Sequence, residues 1–176
     1  MKTTIESRIA KLFAMSDETW ARHANPWSVW TRFTVLPLFI FAVWSRVWVG
    51  IWFWGWVGLV ILWTWLNPRL FAKPRSTKNW ASKAVLGERV WLNRKNVPVP
   101  MHHHRMPTLL SAVSGLGLVP LIWGLVRLHL WSTLLGTVLI YAGKLWFLDR
   151  MVWLYHDMQD AKEEYASWCY DEPERY

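Results

Sequence analysis

This sequence predicts an all-α integral membrane protein: four transmembrane helices arranged as two helical hairpins, with interfacial helices on the cytoplasmic side. Three observations predict it. Of 176 residues 53% are apolar, and they gather in runs near the ~20 residues that cross a hydrocarbon core. Seventeen are tryptophan, whose apolar body and single N–H donor suit a membrane–water interface better than a dry core. Of 20 Lys and Arg residues, only Arg46 and Arg127 fall in the two short turns between successive apolar runs.

Residues 1–24 read as a cytoplasmic amphipathic segment. Ile5, Ile9, Leu12 and Phe13 recur at helical spacing, and a second short helix is expected from Ser16, an N-cap with Asp17 and Glu18 in the turn behind it. Glu6, Arg8, Lys11, Asp17 and Glu18 interrupt any signal-peptide core, so the first span is expected to serve as the insertion signal. Met15 offers an alternative start.

Residues 25–66 form the first expected hairpin. Its first span covers residues 26–45, with Asn25 as cap and Pro26 in the first helical position, where a missing N–H costs little. Arg32 must snorkel to the near interface, and Pro37 should kink the span. The second span covers residues 48–66 and should stop at Asn67-Pro68, because the residue before proline resists the α region.

Residues 67–106 read as a basic cytoplasmic loop. Within it KNWASKAVLGERVWLNR places Trp80, Ala84 and Trp91 near one helical face, which predicts an interfacial helix lying on the leaflet. The second hairpin, residues 107–148, has spans at 107–126 and 130–148, and residues 149–176 follow as a cytoplasmic C-terminal helix and tail. Ser111 with Gly115, Ser132 with Gly136, and the seven-residue pairs Gly117–Gly124 and Gly136–Gly143 predict close backbone approach between the last two spans. Basic residues away from the turns, nine of them in residues 69–105, put both termini and the central loop in the cytoplasm.

Several function classes are excluded by what is missing. The formal net charge is +8, yet no basic helix face or aromatic RNA-binding pattern goes with it, so no nucleic-acid partner is expected. Cys169 is the one cysteine, which rules out a disulfide framework. No Gly-rich phosphate loop, nucleophile elbow or HExxH stretch is present. An ion-coupled small transporter is a third reading, ranked last because no carboxylate lies near the middle of a span, where a proton or cation relay would need one.

His102, His103 and His104 stand side by side among Pro98, Pro100 and Pro107. Those prolines predict an extended approach to the third span, in which His102 and His104 share a side and His103 faces away. Imidazole suits zinc or iron, and a mixed site of His102, His104, Asp149 and His156 would hold such a transition metal; the alternative is a set of structural or lipid-facing imidazoles. Acidic residues are sparse. Glu88 is expected to pair with Arg89 or Arg94, and Asp149 with Arg150 or Arg32. Lys144, about one turn inside the last span, either snorkels or pairs with Asp149 or a headgroup. Arg32, Arg89 and Arg105 are the candidate ligands for a lipid headgroup.

The stretches RHANPWSVWTRF, VLGERVWLN and GKLWFLDRMVWLY resemble a family of small, Trp-rich prokaryotic integral-membrane proteins of unknown function, over about residues 15–158. The resemblance implies a prokaryotic inner membrane and no established activity. It draws attention to His23, Asn25, Glu88 and Asp149, which with Lys144 make a candidate polar cluster. The expected function is a polytopic membrane protein with a His/Asp/Glu cluster at its cytoplasmic face, binding lipid or modifying it with a metal. The alternative is a non-enzymatic assembly factor or accessory subunit. Membrane lipids, and a homodimer or larger membrane complex, are the expected partners.

Overall fold

The computed structural model describes residues 16–172, and among them the secondary structure is helical, with one isolated antiparallel bridge between Ser76 and Asp171. The helices are α1 (Asp17–His23), α2 (Pro26–Arg32), α3 (Val35–Trp44), α4 (Arg46–Val49), α5 (Phe53–Leu70), α6 (Trp80–Leu92), α7 (His102–Arg127), α8 (Leu130–Met158) and α9 (Glu163–Ser167). Three helical stretches are long and apolar enough to cross a membrane: Pro26–Leu70 with 45 residues, His102–Arg127 with 26 and Leu130–Ala161 with 32. The expected amphipathic segment around Ile5, Ile9, Leu12 and Phe13 lies outside the described residues, as does Met15.

The chain divides into two compact units. One takes in Trp65–Pro100 with the chain up to Thr31 and from Met151 onward; the other takes in Arg32–Thr64 and Met101–Arg150.

In the second unit the close packing is of α7 on α8. A Cβ on Gly124 would lie 2.4 Å from the Thr133 nitrogen, one on Gly136 2.4 Å from the Leu121 nitrogen, and one on Gly143 2.5 Å from Ser114 Oγ. The seven-residue glycine stripe is therefore an intramolecular seam, whereas a Cβ on Gly115 would meet nothing within 4 Å. α7 ends in a left-handed residue, Leu128 at φ 53, with the His129 N–H returning 2.8 Å to the Gly124 carbonyl. The Arg46 guanidinium donates to the carbonyls of Leu125 and Val126 at 2.5 and 2.8 Å, satisfying acceptors that every helix C-terminus leaves open. Most exposed large hydrophobic side chains also belong to this unit; among those of the first unit are Trp27, Trp30, Trp65, Leu70 and Trp153.

The first unit has an ordinary core. Ala84, Val85, Val90, Met151, Leu154, Tyr155 and Tyr165 are almost or fully inaccessible. α6 begins at Asn79, whose Oδ1 accepts the Ser82 N–H at 2.9 Å, and Gly87 lets its backbone press against Met151 of α8, where a Cβ would fall 1.9 Å from the carbonyl oxygen. The Tyr155 hydroxyl donates to the Tyr165 carbonyl at 2.9 Å, and Asn93 donates to the Tyr165 hydroxyl at 2.7 Å.

Several expectations need correction. The break in the first apolar run falls at Phe33 and Thr34, a turn before Pro37, because a proline at 37 cannot donate to the carbonyl four residues back. α5 continues through Asn67-Pro68 to Leu70, since the fully buried Asn67 side chain is held by tertiary hydrogen bonds. α7 starts at His102 and runs through both Pro107 and Pro120, so the histidine triplet is helical and not extended. The helix expected from residue 149 onward is continuous with the last apolar span, as α8 runs from Leu130 to Met158. α6 packs into the core of the first unit: Ala81, Ser82, Ala84, Val85, Leu86, Gly87, Val90 and Trp91 are all buried.

Candidate functional site

Segments far apart in the chain meet in the first unit around a cavity of about 350 Å³. α1 brings Asp17, Trp20 and Ala21; the stretch before α6 brings Lys73 and Thr77; α6 brings Leu86 and Arg89; the C-terminal segment brings Glu164, Trp168 and Tyr170. Local chemistry fixes each piece. Ser16 Oγ accepts the Thr19 N–H at 3.2 Å and so starts α1, and the Ser82 hydroxyl donates to the Ala24 carbonyl at α1's far end at 2.6 Å. Thr77 clamps the C-terminal segment: its N–H donates to the Tyr170 carbonyl at 3.0 Å, and its hydroxyl donates to the Trp168 carbonyl at 2.8 Å and accepts the Tyr170 N–H at 2.9 Å. The Tyr170 hydroxyl donates to the Pro74 carbonyl at 2.9 Å.

Arg89 is the central cation. Its side chain is 18% exposed, its guanidinium lies 4.0 Å from the Trp168 ring centroid, and its Nη2 donates to the Asp17 carboxylate and stands 3.7 Å from Glu164 Oε1. Lys73 Nζ sits 4.5 Å from the Tyr170 ring centroid. A cation over a ring face gains from the ring quadrupole, about 0.5–1 kcal/mol where exposed. Burial, and after it Glu172, pushes the Tyr170 phenol above its ordinary value, so it stays a neutral donor. Lys73 also lines a neighbouring hollow of about 450 Å³ with Leu70, Phe71, Ala72, Glu18 and Arg22. Cationic and apolar surface thus lie side by side.

The residues named from the sequence are dispersed. His23, Asn25 and Glu88 belong to the first unit, Lys144 and Asp149 to the second. His23 is buried with Nδ1 3.4 Å from Ser28 Oγ, the Ser28 hydroxyl donates to Asn67 Oδ1 at 2.9 Å, and Asn67 Nδ2 donates to Thr31 Oγ1 at 2.8 Å. Ser28 gives its only proton to Asn67, so its oxygen is left to accept from His23. With Ser28 and Asn67 fully buried, this chain of bonds ties α1, α2 and α5 together. Asn25 Oδ1 accepts the Trp27 N–H and its Nδ2 donates to the Ala72 carbonyl, both at 2.9 Å.

Glu88 lies on α6; its neighbour Arg89 pairs with Asp17 and Glu164, and Arg94 donates to the Trp91 carbonyl at 2.7 Å. Asp149 takes Arg150 Nη2 at 3.1 Å. Lys144 Nζ lies 4.9 Å from the Phe147 ring centroid. Of the expected headgroup ligands, Arg89 lines the cavity, while Arg32 and Arg105 belong to the second unit.

The histidines rearrange as the helix dictates. Steps of about 100° turn His102 and His104 roughly 200° apart around the axis, so the pair that extended backbone would bring to one side is separated. His102 and His103 are the adjacent pair instead, with ring centroids 4.2 Å apart and a ring nitrogen of each within 4.8 Å of the other. His156, in the first unit, has Nε2 3.1 Å from Lys83 Nζ. An ammonium so close competes with a metal for that nitrogen.

Sequence reasoning reached Arg89 but not Asp17, Lys73, Glu164, Trp168 or Tyr170 as its company. Asp17 is 72 residues away in sequence, and no local spacing encodes such a meeting. The available signal was the aromatic content of a charged tail, in which Trp168 and Tyr170 stand among acidic residues. The Family of unknown function (DUF6653) matches residues 4–173. No curated protein and no solved structure matches the chain.

Proposed function

We propose, for a chain that belongs to the family DUF6653, a multi-pass protein of a prokaryotic inner membrane that binds a lipid headgroup with its polar unit. Both termini and that unit lie on the cytoplasmic side, and the apolar helices form two hairpins of two spans each. The observation that carries this reading is the cavity in which Arg89 and Lys73 each rest on an aromatic ring, next to a hollow floored by Leu70 and Phe71. Such a place suits an amphiphile: a charged group meets oriented donors while its glycerol and chains follow apolar surface. The exposed indoles and aliphatic side chains of the second unit support a lipid environment for it, and the sparse basic residues of its turns support the orientation.

The test is photo-crosslinking with a phospholipid carrying a photoreactive group on its headgroup, followed by peptide mapping. Label on peptides containing Trp20, Trp168 or Tyr170 is expected. Label confined to α7 and the first part of α8 would refute the assignment.

A second reading, metal-dependent modification of that lipid, is favoured by the His102–His103 pair, which offers two nitrogens to one ion. Elemental analysis of untagged protein, with a His102→Ala/His103→Ala variant beside it, decides that reading. Metal absent from both would remove it.

A further inference from the structure

We propose that the cavity selects a zwitterionic aminophosphate headgroup, of the phosphoethanolamine kind, over an anionic or a quaternary-ammonium one. This rests on the lipid-binding reading above and names the headgroup.

The first observation is charge. The chain as a whole is +8, yet the cavity sets two cations, Lys73 and Arg89, against two carboxylates, Asp17 and Glu164. A purely anionic ligand would meet the carboxylates as well as the cations. A headgroup with both signs finds a partner for each.

The second observation is how the cations are held. Arg89 directs one nitrogen, Nη2, at both carboxylates while its face is laid on Trp168. Both two-pronged edges of a guanidinium include Nη2, so a phosphate meets Arg89 through the N–H of Nε or of Nη1 beside the Nη2 that the carboxylates hold. Lys73, laid over Tyr170, contributes a second, mobile point charge.

The third observation separates ammonium types. A trimethylammonium group is recognised by a cage of several open aromatic faces, but here one face of Trp168 and one of Tyr170 carry Arg89 and Lys73, which leaves Trp20 as the cavity's remaining aromatic ring. A primary ammonium instead donates hydrogen bonds to carboxylates, and Asp17 and Glu164, exposed at 88% and 56%, are placed to accept them once phosphate shares Arg89. The volume, about 350 Å³, sits at the small end of ligand pockets, roughly 300–1,000 Å³. It holds a headgroup and leaves the acyl chains outside.

The experiment uses the delipidated full chain in a mild detergent and titrates phosphatidylethanolamine, phosphatidylglycerol and phosphatidylcholine of identical chains, read by native mass spectrometry. Phosphatidylethanolamine is expected to bind about tenfold more tightly than either, the factor of one net charge-assisted hydrogen bond near 1.4 kcal/mol. An Asp17→Asn/Glu164→Gln variant should lose that preference while still binding phosphatidylglycerol, and Lys73→Gln, a change at an exposed residue, should weaken all three. Phosphatidylglycerol binding as tightly as phosphatidylethanolamine would overturn the zwitterion inference and leave the lipid reading standing. Phosphatidylcholine equal to phosphatidylethanolamine would overturn the primary-ammonium claim. Binding of all three unchanged by both variants would overturn the lipid reading itself. Water-soluble phosphoethanolamine binding as tightly as the intact lipid would make the ligand a free metabolite and overturn the lipid as its source.

Discussion

The Tyr141 hydroxyl donates to the Phe33 carbonyl, the acceptor that Pro37, four residues on, has no N–H to serve. A proline in the first turn of α3 cannot donate to that carbonyl, the chain breaks between α2 and α3, and a side chain of α8 donates to it. Tyr141→Phe keeps the ring packed near Phe33 and removes only the donor. Losing a hydrogen bond of this kind costs about 0.5–1.5 kcal/mol, so the variant should unfold at a lower SDS fraction than wild type. An unchanged midpoint would show that the carbonyl has another partner.

Gly87→Ala tests the first unit. Helix propensity alone would make alanine better by about 1 kcal/mol in mid-helix. The Met151 carbonyl, 1.9 Å from the added Cβ, is backbone and cannot step aside, and overpacking costs about 1–3 kcal/mol or more. The expected sign is destabilisation, read as a lower thermal midpoint in detergent.

The glycine seam of the second unit predicts opposite outcomes at two positions of one helix. Gly115→Ala, with nothing within 4 Å, should be neutral or raise stability, whereas Gly124→Ala, 2.4 Å from Thr133 backbone, should lower it. SDS unfolding of the two variants side by side checks this, and equal behaviour would remove the seam from the account.

Asp171 links the C-terminal segment to pH. The Ser76 hydroxyl first, then Lys78, holds its carboxyl below the ordinary carboxylate range. A group that ionises more readily when folded supports the fold above its unfolded value of about 4 and withdraws that support as pH falls through the lowered folded value. Exchange at the Thr77 and Glu172 amides, which bond across this bridge, should therefore quicken in that acid window once corrected for the intrinsic rate. Asp171→Asn should show faster exchange already at neutral pH.

What was legible in the sequence follows the range of the interactions. The apolar runs, the Ser16 cap and the seven-residue glycine spacing are local, and they are visible as periodicity or as single residues. α6 was legible as a helix but not as a buried one, since Ala81, Ser82, Ala84 and Gly87 are small and carry little apolar signal while still allowing close packing. The prolines around His102 pointed to extended chain, and the 26-residue α7 overrode that local preference at the cost of one backbone bond at each proline. The cavity was legible only at Arg89. Its other charges arrive from α1, the loop before α6 and the C-terminal segment, and such a convergence is a property of the fold.

The most direct measurement is the phospholipid phosphorus that remains with each chain after purification in mild detergent, for wild type and for Lys73→Gln/Arg89→Lys, with thermal melts to confirm folding. The account predicts tightly held phospholipid on the wild type and its loss from a folded variant. Equal phosphorus on both would contradict the claim that the Arg89 and Lys73 cavity holds a lipid headgroup.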